Sequence, residues 1–183
     1  MSGRPRSIDS DKVLDAAEAI VTEMGASGLS FDAVAKAAGI TKSVVQYCFG
    51  TKDNLIRAMI ARWADAFESK VTQEAGPEPS PTSRIRAHLS VTRHEDEAEH
   101  SRSAVMMTAL LEAPERVAET RDWYNSLLAG LDLAKPADRK IALAFLAGEG
   151  AFLLRSLGLI GLNEAEWDAL FADMLKQTHT DEK

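Results

Sequence analysis

An all-α fold is predicted by three features. Apolar residues recur at three- and four-residue intervals along most of the 183-residue chain, and no stretch alternates apolar and polar as a half-buried strand would. Serines, threonines and glycines punctuate the periodic segments as caps and stops. With 45% apolar and 27% charged residues, the chain can bury one large core or two small ones.

The elements follow in order. Val13, Leu14, Ala17, Ile20, Val21 and Met24 share one face of a first helix of about four turns, entered after Asp9 or Ser10 and stopped by Gly25. Ser30 caps a second helix in "SFDAVAKAAGI", with Phe31, Val34, Ala35 and Ala38 on one side. Asp32 suits its first turn, and Gly39 can take the left-handed conformation that ends it abruptly. A third helix starts at Thr41 and is short. Thr51 caps a fourth, with Leu55, Ile56, Met59, Ile60, Trp63 and Phe67 as its stripe, running to about residue 71. Three prolines and a glycine make residues 74–83 a mobile linker. Four or five helices are expected beyond it, around 84–93, 100–111, 114–130, 136–159 and 163–178, with Pro114 and Pro136 tolerated in first turns. The total is about nine, divided into an N-terminal three-helix domain at 1–50, with a flexible arm at 1–8, and a helical domain at 51–183.

Composition excludes several function classes. No run of about 18 apolar residues occurs, and "MSGRPRSIDS" has no apolar stretch after its arginines, so neither a membrane span nor a signal peptide is predicted and the protein is expected in the cytoplasm. The single cysteine, Cys48, cannot form an intramolecular disulfide or a multi-cysteine zinc site. It falls on the core-facing side of the third helix as a small packing residue. No nucleophile elbow, phosphate loop or zinc signature is present. His88, His94 and His100 are spaced by six, which does not bring them to one helix face, and "EAEH" supplies one Glu-x-x-His unit where a metal pair needs two. An enzyme is not expected, nor a cofactor or a metal.

The net charge is −7, yet it is unevenly spread. Residues 1–70 hold nine basic and nine acidic residues, so the later part carries the whole excess of acid. Residues 36–62 hold Lys36, Lys42, Lys52, Arg57 and Arg62 against Asp53 alone. Local positive ends on an acidic chain suit a focused contact with a polyanion. At 100° per residue, Lys42, Ser43, Gln46 and Tyr47 form one polar stripe of the third helix, with Val45, Cys48 and Phe49 opposite. A helix, a tight glycine turn and a second helix that presents hydrogen-bonding side chains is a helix-turn-helix arrangement, narrow enough for the DNA major groove.

Residues 9–60, and above all "VLDAAEAIVTEMGASGLSFDAVAKAAGITKSVVQYCFGTKDNLIRAM", resemble the DNA-binding domain of the TetR family of bacterial transcriptional regulators. The family pattern has an Ile-Leu-x-Ala-Ala first helix, a Ser/Thr-capped second helix, a Gly-Val-Ser-Lys turn, a Tyr-His-Phe-like run and Ser-Lys-Glu-x-Leu opening helix four. The resemblance implies double-stranded DNA as partner. By position, Thr41 corresponds to a capping residue that also donates to phosphate, Lys42 to the lysine at the groove, and Ser43 and Val44 to residues near bases. Tyr47 matches an aromatic residue that grips the backbone, and Lys52 a phosphate-binding lysine. Ser30, the cap of the second helix, joins this set. Gln46 stands where the family commonly has tyrosine and Cys48 where it often has histidine or tyrosine. Gln46 can read adenine or replace a tyrosine–phosphate contact. Arg4 and Arg6 resemble an arm entering a minor groove.

The resemblance also implies that the later helices form a ligand-binding and dimerisation domain, the last two packing on their copies in a homodimer. In "IALAFLAGEGAFLLRSLGLIGL", Ala142, Phe145, Leu146, Phe152, Leu153 and Leu157 make the helix apolar around much of its circumference, with Gly148 and Gly150 allowing close approach. Phe152, Leu153, Leu157, Trp167, Leu170, Phe171 and Met174 are the expected dimer face. Met106, Met107, Leu110, Leu111, Trp123, Tyr124, Leu127 and Phe145 are the candidate lining of a pocket for a small apolar effector. Glu149, a carboxylate within an apolar helix, needs a partner or a ligand cation, and Arg155 is the partner expected. A ligand-responsive repressor on a palindromic operator is the predicted function. The alternative is a helical carrier protein whose N-terminal helices are only structural.

Overall fold

The computed structural model describes residues 10–96, 99–100, 102–103 and 114–179. Eight α-helices are seen among them: α1 (Ser10–Met24), α2 (Phe31–Ala38), α3 (Lys42–Phe49), α4 (Lys52–Ala75), α5 (Pro81–Arg93), α6 (Pro114–Leu128), α7 (Pro136–Ser156) and α8 (Glu164–Gln177), with a 3₁₀ turn at Ala26–Gly28. Residues 99–100 and 102–103 are also helical, and most of the helix expected around 100–111 lies outside the described residues. No strand occurs among the described residues, and none of their helices is long and apolar enough to cross a membrane. The chain divides into two compact units, residues 1–64 and 65–183, so the division falls inside α4 rather than at its start.

In the first unit, α1 packs on α2 and α2 on α3. The core is Val13, Leu14, Ala17, Ile20, Val21, Leu29, Val34, Ala35, Val45, Leu55 and Met59, the i, i+3, i+4 positions of each helix. Ser30 Oγ accepts from Ala33 N at 3.2 Å and Thr51 Oγ1 from Asn54 N at 3.1 Å, so both predicted caps form. Arg62 ties α4 to α1, donating to Glu18 at 2.7 Å, Asp15 at 2.8 Å and the Asp11 carbonyl at 3.3 Å.

In the second unit, α5 packs on α6, α7 and α8, and α7 on α8. Ile85, Leu89, Leu127, Ile141, Ala144, Phe145, Trp167 and Phe171 form the core. Gly148 lets these helices close up: a Cβ there would overlap Leu89 Cδ2 and lie 3.7 Å from both Met174 Sδ and Phe171 Cε1. The expected linker is shorter than its prolines suggest, because α4 continues to Ala75 and Pro81 opens α5. Ser80 caps that helix, accepting from Ser83 N at 3.1 Å, and proline at a first position costs no amide bond. Asn163 and Glu166 cap α8 reciprocally, at 3.0 and 2.9 Å.

Candidate functional site

The turn between α2 and α3 is set by Gly39, whose φ of 65° lets Ile40 N reach back to the Ala35 carbonyl at 2.9 Å. Helix α3 then begins two residues later. Thr41 stands at its N-cap with extended backbone, but its side chain makes no capping hydrogen bond. The predicted cap is therefore a cap in position only: Val44 N donates to the Thr41 carbonyl at 3.0 Å, and the Lys42 and Ser43 amides are left without a side-chain cap. No acidic residue lies in that turn. An N-terminus with open amides, a hydroxyl and no carboxylate is suited to an anion.

Val45 is fully buried and Cys48 and Phe49 half-buried, so one side of α3 docks on the unit's core. Lys42, Ser43, Gln46 and Tyr47 are exposed on the other side, and Val44 is half-buried at its edge. Tyr47 is 84% exposed, beside Gln46 on the same outward side. Lys42 Nζ is 2.7 Å from Asp32 Oδ2 on α2, both side chains more than half exposed. Such a pair contributes about 0–1 kcal/mol, so the ammonium is released at little cost. Lys52, at the first position of α4, is exposed as well. Arg4 and Arg6 lie outside the described residues.

A second constellation sits in the C-terminal unit. Glu149 on α7 does not pair with Arg155. One turn and a half separates them, and Arg155 instead bonds Glu164 and stacks over the Trp167 ring, 4.6 Å from its centroid. Glu149 Oε1 meets His88 Nε2 at 2.5 Å, and its Oε2 accepts from the Tyr124 hydroxyl at 2.5 Å. Burial and the neighbouring carboxylate push the Tyr124 phenol far above its ordinary range, so it stays a donor. His88 is 3% exposed, and its ring lies 5.0 Å from Phe67, 5.1 Å from Phe145 and 5.7 Å from Trp123. Among the described residues, His88 Nδ1 is buried with no hydrogen-bond partner, as is Glu95 Oε2.

Of the expected pocket residues, Trp123 and Tyr124 therefore join this group, with Phe145 at its edge, while Leu127 is plain core. Met106, Met107, Leu110 and Leu111 lie outside the described residues. A shallow open groove along α4 is lined by Asp65, Glu68, Ser69, Thr72 and Gln73 and takes in none of the expected residues. His88, Phe67 and Glu95 were missed from the sequence. The signal for His88 was its place one turn beyond Ile85 on the buried face of α5.

The expected dimer face needs correction. Trp167 and Phe171 are buried at 1% and 0% within the protomer, and Met174 and Phe152 pack against the same core. They turn inward because α5 and α7 close over that side of α8. Leu153 is half-buried, whereas Leu157 and Leu170 are exposed. The uncovered apolar stripe of α7 is Leu143, Leu146, Ala147, Gly150, Leu154 and Leu157, spaced as one helix face.

Comparison with known proteins decides the identity of the fold. Residues 13–59 match the family model "Bacterial regulatory proteins, tetR family", and residues 82–179 match "Tetracyclin repressor-like, C-terminal domain". The chain belongs to the TetR family. It is a transcriptional regulator with an N-terminal DNA-binding domain and a C-terminal ligand-binding domain. No curated protein matches it significantly in sequence. Solved TetR-like structures share the fold. A transcriptional regulator from Rhodococcus sp. Rha1 is 23% identical with a TM-score of 0.64, covering 92% of this chain and 96% of its own. A transcriptional regulator from Streptomyces coelicolor A3(2) is 16% identical, TM-score 0.66, covering 93% and 98%. The multidrug binding protein EbrR, solved with malachite green, is 20% identical, TM-score 0.67, covering 93% and 98%. In this TetR-family regulator the first matched segment contains α3 and the second contains His88, Tyr124 and Glu149.

Proposed function

We propose that this regulator is a homodimeric repressor that binds a palindromic operator through two copies of α3 and leaves it when a small molecule occupies the C-terminal unit. The observation that carries the reading is the solvent-facing stripe of α3, with Lys42, Ser43, Gln46 and Tyr47 exposed beside an uncapped helix N-terminus and Val45 anchoring the opposite side. Lys42, Lys52, Thr41 and Tyr47 hold phosphates; Ser43, Val44 and Gln46 approach base edges. Ser30 fixes the start of α2, and Arg4 and Arg6 supply a minor-groove arm.

The exposed stripe of α7, with Leu170 of α8, supports the homodimer, since a contiguous apolar face of this kind marks an interaction surface. Two-fold related copies of α3 then meet half-sites about one DNA turn apart. Helix α4 runs through both compact units. An effector that binds better to a state in which α4 is tilted shifts the dimer away from the operator spacing, and only that difference in affinity does the work.

A footprint on DNA upstream of the protein's own gene, taken across a salt series, tests this. Protection of a two-fold symmetric site, weakening steeply with ionic strength, is expected. Salt-insensitive binding, or no protected site, would count against it.

A further inference from the structure

The effector's chemistry can be argued from the Glu149 constellation, and this rests on the reading of the C-terminal unit as the effector domain. Glu149 is an acceptor held from two sides: His88 Nε2 faces Oε1 and the Tyr124 hydroxyl donates to Oε2. Facing a carboxylate, Nε2 carries the proton, so in the neutral imidazole Nδ1 is a bare acceptor. That nitrogen is buried and bonded to nothing among the described residues. Glu95 Oε2 is likewise buried without a partner among the described residues, and burial pushes that carboxyl up to about 8, so it keeps its proton and leaves Glu149 as the charge of the group.

Around these acceptors stand π systems. His88 touches Phe67, Trp123 and Phe145; Trp123 and Tyr124 meet edge to face at 4.8 Å; and Tyr124 lies 6.2 Å from Phe145. Trp123 Nε1 is itself turned to Glu68 at 3.4 Å, which leaves its ring rather than its N–H for this group. Unspent acceptors and ring faces are both electron-rich. The complement is a ligand that brings positive charge and flat apolar surface together. A neutral apolar molecule leaves the Glu149 charge unmatched, and an anion meets it head on.

We propose that this constellation is the effector site and that it takes an aromatic organic cation, with Glu149 as counter-ion, His88 and Tyr124 positioning that carboxylate, and Phe67, Trp123 and Phe145 supplying the rings. Glu149 directly follows Gly148, where α5, α7 and α8 close on one another, so a cation drawn to it acts on the core of the unit.

The test uses the full-length protein and a matched pair of fluorescent probes: 10-methylacridinium, a permanent cation, and acridine, its uncharged parent at pH 8. The wild-type protein is expected to bind the cation at least about tenfold more tightly, a difference of about 1.4 kcal/mol. Glu149→Gln, checked for folding by circular dichroism, is expected to abolish that preference while still binding acridine. Equal affinity of the wild type for both probes, no binding of either, or an undiminished preference in folded Glu149→Gln overturns the proposal. DNA binding is scored separately by footprinting. Loss of the operator footprint with cation preference intact refutes the repressor reading alone; an operator complex released by acridine and not by the cation refutes the cation site alone.

Discussion

Lys42→Ala separates a DNA-contacting lysine from one that merely decorates the fold. In the free protein the ammonium pairs with Asp32, at 2.7 Å, with side-chain exposures of 55% and 72%. A pair that exposed contributes about 0–1 kcal/mol, so the variant should unfold within a degree or two of the wild type. On DNA the consequence is larger. Each phosphate neutralised contributes about −0.9 to the slope of log affinity against log salt, so losing one contact per protomer makes a dimer's slope shallower by about 1.8. Between about 50 and 200 mM salt the wild-type affinity then falls about 12-fold more than that of the variant. Fluorescence anisotropy on the footprinted site at four or five salt concentrations measures both slopes. Asp32→Asn serves as the reciprocal control: with the competing carboxylate gone, binding should tighten and the slope should not become shallower. A folded Lys42→Ala protein with an unchanged slope would show that this lysine touches no phosphate, and the docking of α3 would have to be redrawn.

Gly148→Ala should lower stability by about 1–2 kcal/mol in chemical denaturation, because overpacking against Leu89 outweighs the roughly 1 kcal/mol that alanine gains in a helix; unchanged stability would mean that α5, α7 and α8 are not in close contact there. Glu95 gives a pH signature: burial first, then Glu99 and Glu149, push its carboxyl from the usual 4.5 up to about 8, against the opposing pull of Lys70 and Arg102. The folded protein then holds a proton that the unfolded chain gives up, so stability falls as pH rises from about 4.5 and levels off above about 8, by a total on the order of 4 kcal/mol. Glu95→Gln should flatten that decline in thermal melts at pH 5 to 9, and a wild-type protein with no such decline refutes the burial of this carboxyl. Leu146→Glu, at a side chain 56% exposed in the protomer, should leave helicity intact yet yield monomers in sedimentation equilibrium and weaken operator binding; a persistent dimer would move the interface elsewhere.

The starts of the second and fourth helices and the ends of the first two were legible because each is marked by local chemistry. Ser30, Thr51, Gly25 and Gly39 act through bonds and torsions within a few residues of themselves. The polar stripe of α3 was legible for the same reason: with Val45 as anchor, a short helix has little choice about which face looks outward. Helix α7 was not legible in this way. Apolar residues surround it, so periodicity could not say that Phe145 turns to the core while Leu143, Leu146 and Leu154 turn to solvent. Trp167 and Phe171 were assigned outward because the family resemblance implies a dimer of the last two helices and their apolar residues exceed what one core needs, and packing against α5 and α7 reversed that.

What the sequence by itself determined is the all-helical class, the family, and the helix-turn-helix with its exposed polar face, since caps, turn glycines and amphipathic spacing are short-range and survive any arrangement of the rest. Only the tertiary structure decided that Glu149 belongs with His88 and Tyr124 rather than with Arg155, and that Thr41 leaves its helix uncapped. His88 and Glu149 are 61 residues apart and Tyr124 and Glu149 are 25 apart. Such partnerships are chosen by which helix faces meet when three elements close on a common core, and no local pattern of residues encodes that meeting.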